Sequence, residues 1–213
     1  MFFKTTLLLA SAATALAASG TVGVTPHDMY SSSVGVLGCK INVKHVAYWP
    51  MPVDCNNICV QVSYAGRSLY LLRIDQSGGA YDISYGAWNW LYVGKQATEQ
   101  PMQGGALSMT WKDVPAQNCA SLMANGRLPL SAANSMNYLS SCLNQPSSWV
   151  AQNHELYNIL NPTCTYGYDE VCTLNLAVSN QPTCPHQLGV PAVLTSDPVY
   201  DIQYGTGKLV KAT

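Results

Sequence analysis

Residues 60–97 read VQVSYAGRSLYLLRIDQSGGAYDISYGAWNWLYVGKQA. Val60, Val62 and Tyr64 alternate with Gln61 and Ser63, which is the period-two signature of a strand with one buried face. Ala65-Gly66-Arg67 supplies a turn, and LYLLRID predicts a second strand that ends at Asp75. Gln76-Ser77-Gly78-Gly79 is turn chemistry. YDISYGAWNWLYVG then predicts a short helix with Asp82 or Ser84 as N-cap, Trp88, Leu91 and Tyr92 on one face, and Gly94 at the C′ position. A strand that delivers a carboxylate beside a glycine turn makes Asp75 the first candidate for chemistry.

Working outward, residues 36–49 (VLGCKINVKHVAYW) hold two short strand candidates, and ALSMTWK (106–112) alternates cleanly, with Leu107, Met109 and Trp111 inward. Residues 36–119 therefore hold about six short strands and one helix, a pattern that closure into a small barrel would relieve of exposed edges. Residues 18–35 are small and polar and read as an N-terminal arm. Residues 129–143, with Ser131 as N-cap, and residues 146–160, with Trp149, Val150, Tyr157 and Leu160 on one stripe, read as helices. The chain from Asn161 onward is rich in Pro, Gly, Thr and Asn. Residues 120–213 thus read as a helical and loop-rich extension packed on the barrel.

Residues 1–17 read as a secretory signal peptide: Lys4, an apolar run, and Ala15-Leu16-Ala17 as the cleavage motif. No other stretch approaches the ~20 apolar residues of a membrane span. The remaining chain keeps all eight cysteines of the sequence. An even count in an oxidising compartment predicts four disulfides, and a secreted protein of the extracellular space or cell wall. Cys55-x3-Cys59 lacks a second close pair and His27, His45, His154 and His186 are scattered, so neither metal nor cofactor is expected. Charged residues are 10% of the chain and the formal net charge is −1, against ~25% charged residues in an average domain. There is no basic footprint for nucleic acid and no polybasic patch for lipid. Thirteen Tyr and five Trp against two Phe make an amphipathic aromatic set, of a kind that stacks on sugars or on a protein partner.

The order Gly38-Cys39, Asp54-Cys55-Asn56-Asn57-Ile58-Cys59-Val60, Tyr64-Ala65-Gly66-Arg67, Leu71-Leu72-Arg73-Ile74-Asp75, then Tyr81-Asp82-Ile83-Ser84 with Ala87-Trp88-Asn89, resembles the barwin-like double-psi β-barrel superfamily. That group includes cerato-platanins (small secreted fungal proteins), expansins, barwin and barwin-related endoglucanases. Trp111-Lys112-Asp113-Val114-Pro115 is similar to the final-strand signature of expansins. The resemblance covers roughly residues 34–119. It departs at Cys55-x3-Cys59, where the group has two intervening residues, and residues 120–213 have no counterpart in cerato-platanins.

The resemblance implies a mainly β fold with α additions: a six-stranded double-psi β-barrel followed by a disulfide-stapled helical extension. It implies pairing of Cys39 with Cys55 and of Cys59 with Cys119, leaving Cys142, Cys164, Cys172 and Cys184 to pair among themselves. It makes Asp75 similar to the catalytic acid of the endoglucanases. Inverting hydrolysis needs a second carboxyl roughly 6.5–9.5 Å away, for which Asp54 and Asp82 are candidates. Tyr48-Trp49 resembles an aromatic pair near the base in those enzymes, but Pro50 follows where they have Asp. The bland reading of Asp75 is a pair with Arg73 on the same strand face, or a cap on the glycine turn.

The expected ligand-binding set is Tyr48, Trp49, Asp75, Tyr81, Tyr85 and Trp90. The missing second acid favours a non-catalytic protein that binds or loosens cell-wall polysaccharide or oligosaccharide, including an effector-like role. A glycosidase using Asp75, and an extracellular module for a host or cell-surface protein, are the alternatives.

Overall fold

A computed structural model describes residues 18–213; the signal peptide read from the sequence lies outside the described residues. Six strands close into a barrel: β1 (Ser19–His27), β2 (Val46–Trp49), β3 (Cys59–Tyr64), β4 (Arg67–Gln76), β5 (Tyr81–Ser84) and β6 (Leu107–Asp113). Around the barrel their order is β1-β5-β2-β4-β3-β6. β1 runs parallel to β5, and β2 parallel to β4. The other neighbours are antiparallel. Exchanging β1 with β4, β2 with β5 and β3 with β6 reproduces the same order and the same pairing types, so the barrel has a pseudo-twofold relation that passes between β2 and β5.

The hairpin in residues 60–76 forms as its pattern predicts. Tyr64 faces Arg67 across a two-residue loop, with Ala65 and Gly66 at φ of 48° and 78°. Positive φ at both loop positions matches the right-handed twist of the flanking strands. The helix α1 (Tyr85–Val93) starts where the Ser84 alternative for the N-cap puts it, and Tyr81–Ser84 before it forms β5. Ser84 occupies the N-cap position but its hydroxyl donates to the Lys44 carbonyl instead. Gly94 ends the helix in the left-handed region at φ 75°, as the C′ role requires.

Alternation decides what fills the barrel. Val24, Ala47, Trp49, Val60, Val62, Leu71, Ile83 and Met109 form one buried cluster, which Ala87, Trp88 and Leu91 of α1 join. The other parity of β2 and β4, namely Val46, Tyr48, Leu72 and Ile74, is buried in a second cluster with Leu128, Leu130, Leu139, Val150, Leu156 and Ile159. β2 is therefore buried on both faces, which is why residues 36–49 alternate poorly in sequence.

The second cluster joins the barrel to residues 120–213, and in that later part the sequence reading needs correction. The first expected helix is a strand, β7 (Leu128–Ser131), followed by the helix α2 (Met136–Leu143). Ser131 ends β7, and its hydroxyl donates to the Ile159 carbonyl. The second expected helix is one turn, α3 (Trp149–Gln152), and then a strand, β8 (His154–Ile159). β7, β8 and β9 (Gly167–Cys172) make a three-stranded sheet, and β10 (Tyr200–Ile202) with β11 (Leu209–Lys211) makes a hairpin. Tyr157 and Leu160 sit three apart and continue the stripe of Trp149 and Val150, but pairing of β8 to β7 and β9 overrides that local signal.

The segment expected as an N-terminal arm instead supplies β1, which closes the barrel. The implied Cys39–Cys55 bond is also corrected. Cys39 joins Cys164 and Cys55 joins Cys142, so both bonds tie the barrel region to the later half of the chain. Cys59 joins Cys119 and Cys172 joins Cys184. Among the described residues no helix is long and apolar enough to cross a membrane. Four disulfides and that absence are compatible with an extracellular protein.

Candidate functional site

Register brings the sequence candidates into a row. Thr25 on β1 faces Asp82 on β5, Asp82 faces Tyr48 on β2, and Tyr48 faces Asp75 on β4. Directly opposed residues share a sheet face, and adjacent strands lie about 4.8 Å apart. Asp75 and Asp82 are thus two strands apart with Tyr48 between them.

Each of these carboxylates is engaged within the chain. Asp75 accepts from the Ser31 hydroxyl at 2.6 Å, the Ser33 amide at 2.9 Å and the Gln76 amide at 2.8 Å. Asp82 accepts from the Thr25 hydroxyl. Tyr48 is 4% exposed. Burial raises its phenol far above the ordinary range, and the charges of Asp201, Asp75 and Asp82 push the same way. The His27 ring packs 4.6 Å from the Tyr48 ring. Asp75 therefore anchors residues 31–33 across the face where a ligand was expected. Asp54 lies elsewhere: it is exposed and accepts from the amides of Asn56 and Asn57, both at 2.6 Å.

Of the two bland readings of Asp75, the pair with Arg73 does not form, while its carboxylate does accept from the Gln76 amide at the start of the turn. A shift in the β2–β4 register places Arg73 opposite Ala47 but Asp75 opposite Tyr48. This bulge breaks the period-two rule and turns the two side chains to opposite faces. Arg73 goes inward instead. It lies 5.3 Å over the Trp49 ring and 3.4 Å from the Asp113 carboxylate.

The aromatic set divides. Tyr48, Trp49 and Tyr85 are buried, so they form no stacking platform. Tyr81 is half-buried and packs edge-on against Trp49, 5.2 Å away. Trp90 borders a groove of about 330 Å³. Its walls are Asn42, Lys44, His45, Leu69, Trp90 and Gln96, and its floor is Gly86 and Ala87. Residues 86, 87 and 90 face it together because a helix brings positions i and i+4 to one side.

The groove's polar groups differ in how far the chain engages them. The His45 Nδ1 lies 3.2 Å from the Tyr70 carbonyl. Burial lowers the pKa of this imidazole, the Tyr70 carbonyl works against that, and the Lys44 charge lowers it further. A neutral ring that donates from Nδ1 to a carbonyl leaves Nε2 as an acceptor. Among the described residues the side chains of Lys44, Trp90 and Gln96 make no hydrogen bond. Sequence reading found Trp90 from helical spacing. It missed Asn42, Lys44, His45 and Gln96, which lie before β2 and after α1 and meet Trp90 only through the fold.

A second, smaller cavity lies between the barrel and β10, lined by His27, Asp28, Tyr48 and Asp201 among others. The C-terminal segment is strapped down beside it. The Tyr30 amide donates to Asp201 at 2.8 Å, the Tyr204 amide donates to Asp28 at 3.1 Å, and the Gly104 amide donates to the Tyr204 hydroxyl at 2.6 Å. Burial raises the Asp201 pKa; the Tyr30 amide lowers it, the Asp28 charge raises it and His27 lowers it. With a folded pKa above the ordinary 3.8, the folded state holds this proton more tightly than the unfolded chain. Its contribution to stability is complete at low pH and is lost as pH rises from about that value through the raised one. The expected outcome is that wild-type stability, relative to Asp201→Asn, declines over this acidic window. Urea midpoints measured across it would check the sign.

Comparison with family models, with curated proteins and with solved structures finds no match. Among the described residues no group of three or more His, Cys, Asp or Glu is placed to hold a metal.

Proposed function

We propose that the protein works outside the cell as a non-catalytic module that binds a polysaccharide or oligosaccharide chain, with the Trp90 groove as its contact. The observation that carries this reading is the groove itself: a half-buried indole beside Leu69, ringed by the Lys44 ammonium, the Gln96 and Asn42 amides and the His45 imidazole, whose Nδ1 is held by the Tyr70 carbonyl. Sugar rings pair an apolar C–H face with hydroxyls at their edges, and recognition needs one apolar plate and several convergent polar groups. We read the barrel as the double-psi type of the barwin-like group. The pseudo-twofold relation, with its two parallel pairs set among antiparallel ones, supports this.

Affinity for immobilised and soluble glucans and chitin oligomers tests the reading. Trp90→Ala is expected to weaken binding about 10-fold, the loss of one stacking contact of ~1–1.5 kcal/mol, with the native circular dichroism spectrum retained. Wild-type protein that retains none of these sugars refutes it.

Hydrolysis is the second reading, favoured by the row in which Asp75 and Asp82 flank Tyr48. It requires Asp75 to release the Ser31 and Ser33 contacts that hold it. Release of reducing ends that vanishes in Asp75→Asn would establish it over simple binding.

A further inference from the structure

The Trp90 groove has a charge character that the whole chain lacks. The chain as a whole carries a formal net charge of −1, yet no carboxylate lines this groove. Its wall carries Lys44 and His45, with the amides of Asn42 and Gln96 beside them. Lys44 is exposed, and among the described residues no carboxylate lies within ion-pair distance of it. Asp28 and Asp201 line the neighbouring cavity, which Lys44 and Gly86 also border, but their carboxylates are turned to the amides of Tyr204 and Tyr30. Glu99, three residues beyond Gln96, is not among the lining side chains.

Lys44 borders this groove beside His45, as it borders the neighbouring cavity. The main chain helps to set it there. The Lys44 amide donates to the Asn42 side-chain oxygen at 3.2 Å, and a Cβ at Gly86 would lie 3.4 Å from the Lys44 Cβ. The stem of Lys44 thus runs over the helix at its one residue without a side chain. An exposed cation without an ion-pair partner, at the rim of an indole-walled groove whose lining holds no carboxylate, favours a ligand that brings its own negative charge.

We infer that the groove is selective for acidic saccharides, chains whose sugar units carry a carboxylate such as a uronic acid. Trp90 takes the apolar ring face and Lys44 takes the carboxylate of that unit or the next. Asn42, Gln96 and the acceptor Nε2 of His45 meet hydroxyls. This inference rests on the Trp90 groove being a sugar site, and it adds the class of sugar.

The test compares three hexamers by calorimetry on the full chain: a uronic acid, glucose and N-acetylglucosamine. One exposed ion pair is worth up to ~1 kcal/mol, so the uronate hexamer is expected to bind about threefold to fivefold tighter than the neutral ones at low salt. In about 1 M salt, where charges are screened within ~3 Å, that margin should close. Lys44→Gln should close it at low salt by weakening the uronate hexamer more than the neutral ones, and Lys44→Arg should restore it. Neutral hexamers that bind through Trp90 as tightly as the uronate overturn the charge inference and leave the sugar site standing. A uronate margin that survives Lys44→Gln also overturns it. If none of the three binds, the sugar site itself falls and this inference with it.

Discussion

Replacing Cys39 and Cys164 together by alanine is expected to lower the unfolding free energy by about 2–5 kcal/mol. The bond spans 125 residues of sequence, so it removes far more freedom from the unfolded chain than a local staple does. It also has a mechanical place in the fold. Cys39 sits in a 3-10 turn (Gly38–Lys40) just before β2, and Cys164 follows β8. The bond therefore pins the barrel to the sheet of β7, β8 and β9 close to where the Gly38 amide donates to the Pro162 carbonyl at 2.8 Å. The matching change at Cys172 and Cys184 is the control. That bond spans 12 residues, in a part of the chain where most side chains are exposed. On the chain-entropy account its loss should cost less, by roughly 1–2 kcal/mol. Urea unfolding of both double variants, with the slope compared as well as the midpoint, gives the two numbers. Equal losses would mean that the long link contributes no more than the short one. Mapping of non-reduced peptides gives an independent check, since a Cys39–Cys55 peptide would contradict the connectivity outright.

That connectivity shows where sequence reading stops. Local rules found the hairpin of β3 and β4, the glycine that ends α1, and the alternating strand β6, because each depends on neighbours within about ten residues. Strand β1 escaped notice because its only large apolar residues are Val22 and Val24. What makes SGTVGVTPH a strand is hydrogen bonding to β5 and β6, far along the chain. The helix expected at residues 146–160 failed for the converse reason. Its spacing satisfied a helical stripe, but β7 and β9 offered strand partners on both sides of β8. The resemblance to barwin-like proteins placed Cys59 with Cys119 but not Cys39 or Cys55, since the partners of those two lie in residues 120–213, where the resemblance ends.

The candidate site was legible in the same partial way. Asp75 stood out correctly as the end of a strand beside a turn, but its three hydrogen-bond donors include Ser31 and Ser33, more than forty residues away. No local pattern shows that such a carboxylate is already engaged. Trp90 was readable as facing away from the core. That its neighbours would be Lys44 and His45, and not an acid, follows from how the loop before β2 packs on α1.

The bulge that separates Arg73 from Asp75 sets up the other large effect. Arg73→Met is expected to destabilise the fold by about 3–5 kcal/mol, the usual loss when one member of a buried ion pair is removed. The side chains of Arg73 and Asp113 are 6% and 11% exposed, so Asp113 would keep a charge with little water to hold it. Burial already raises the Asp113 pKa, and the Arg73 charge is the main influence pulling it back down. Without Arg73 the carboxyl should move further up. The folded state then binds the proton more tightly than the unfolded chain, so the variant loses stability as pH rises above about 3.8, the ordinary value for this carboxyl. Its deficit against wild type should accordingly be largest near neutral pH and shrink on acidification. The double variant Arg73→Met/Asp113→Leu separates charge from packing. Two apolar side chains of similar length remove both charges from the barrel interior, and most of the lost stability should return, because a buried pair is often no better than a hydrophobic replacement. Arg73 also covers the Trp49 ring at 5.3 Å, a contact that Met retains as packing but not as a cation over an aromatic face. A single variant that loses under 1 kcal/mol, or a deficit that stays flat from pH 4 to 7, would show that Asp113 reaches water and that the pair does not brace this end of the barrel.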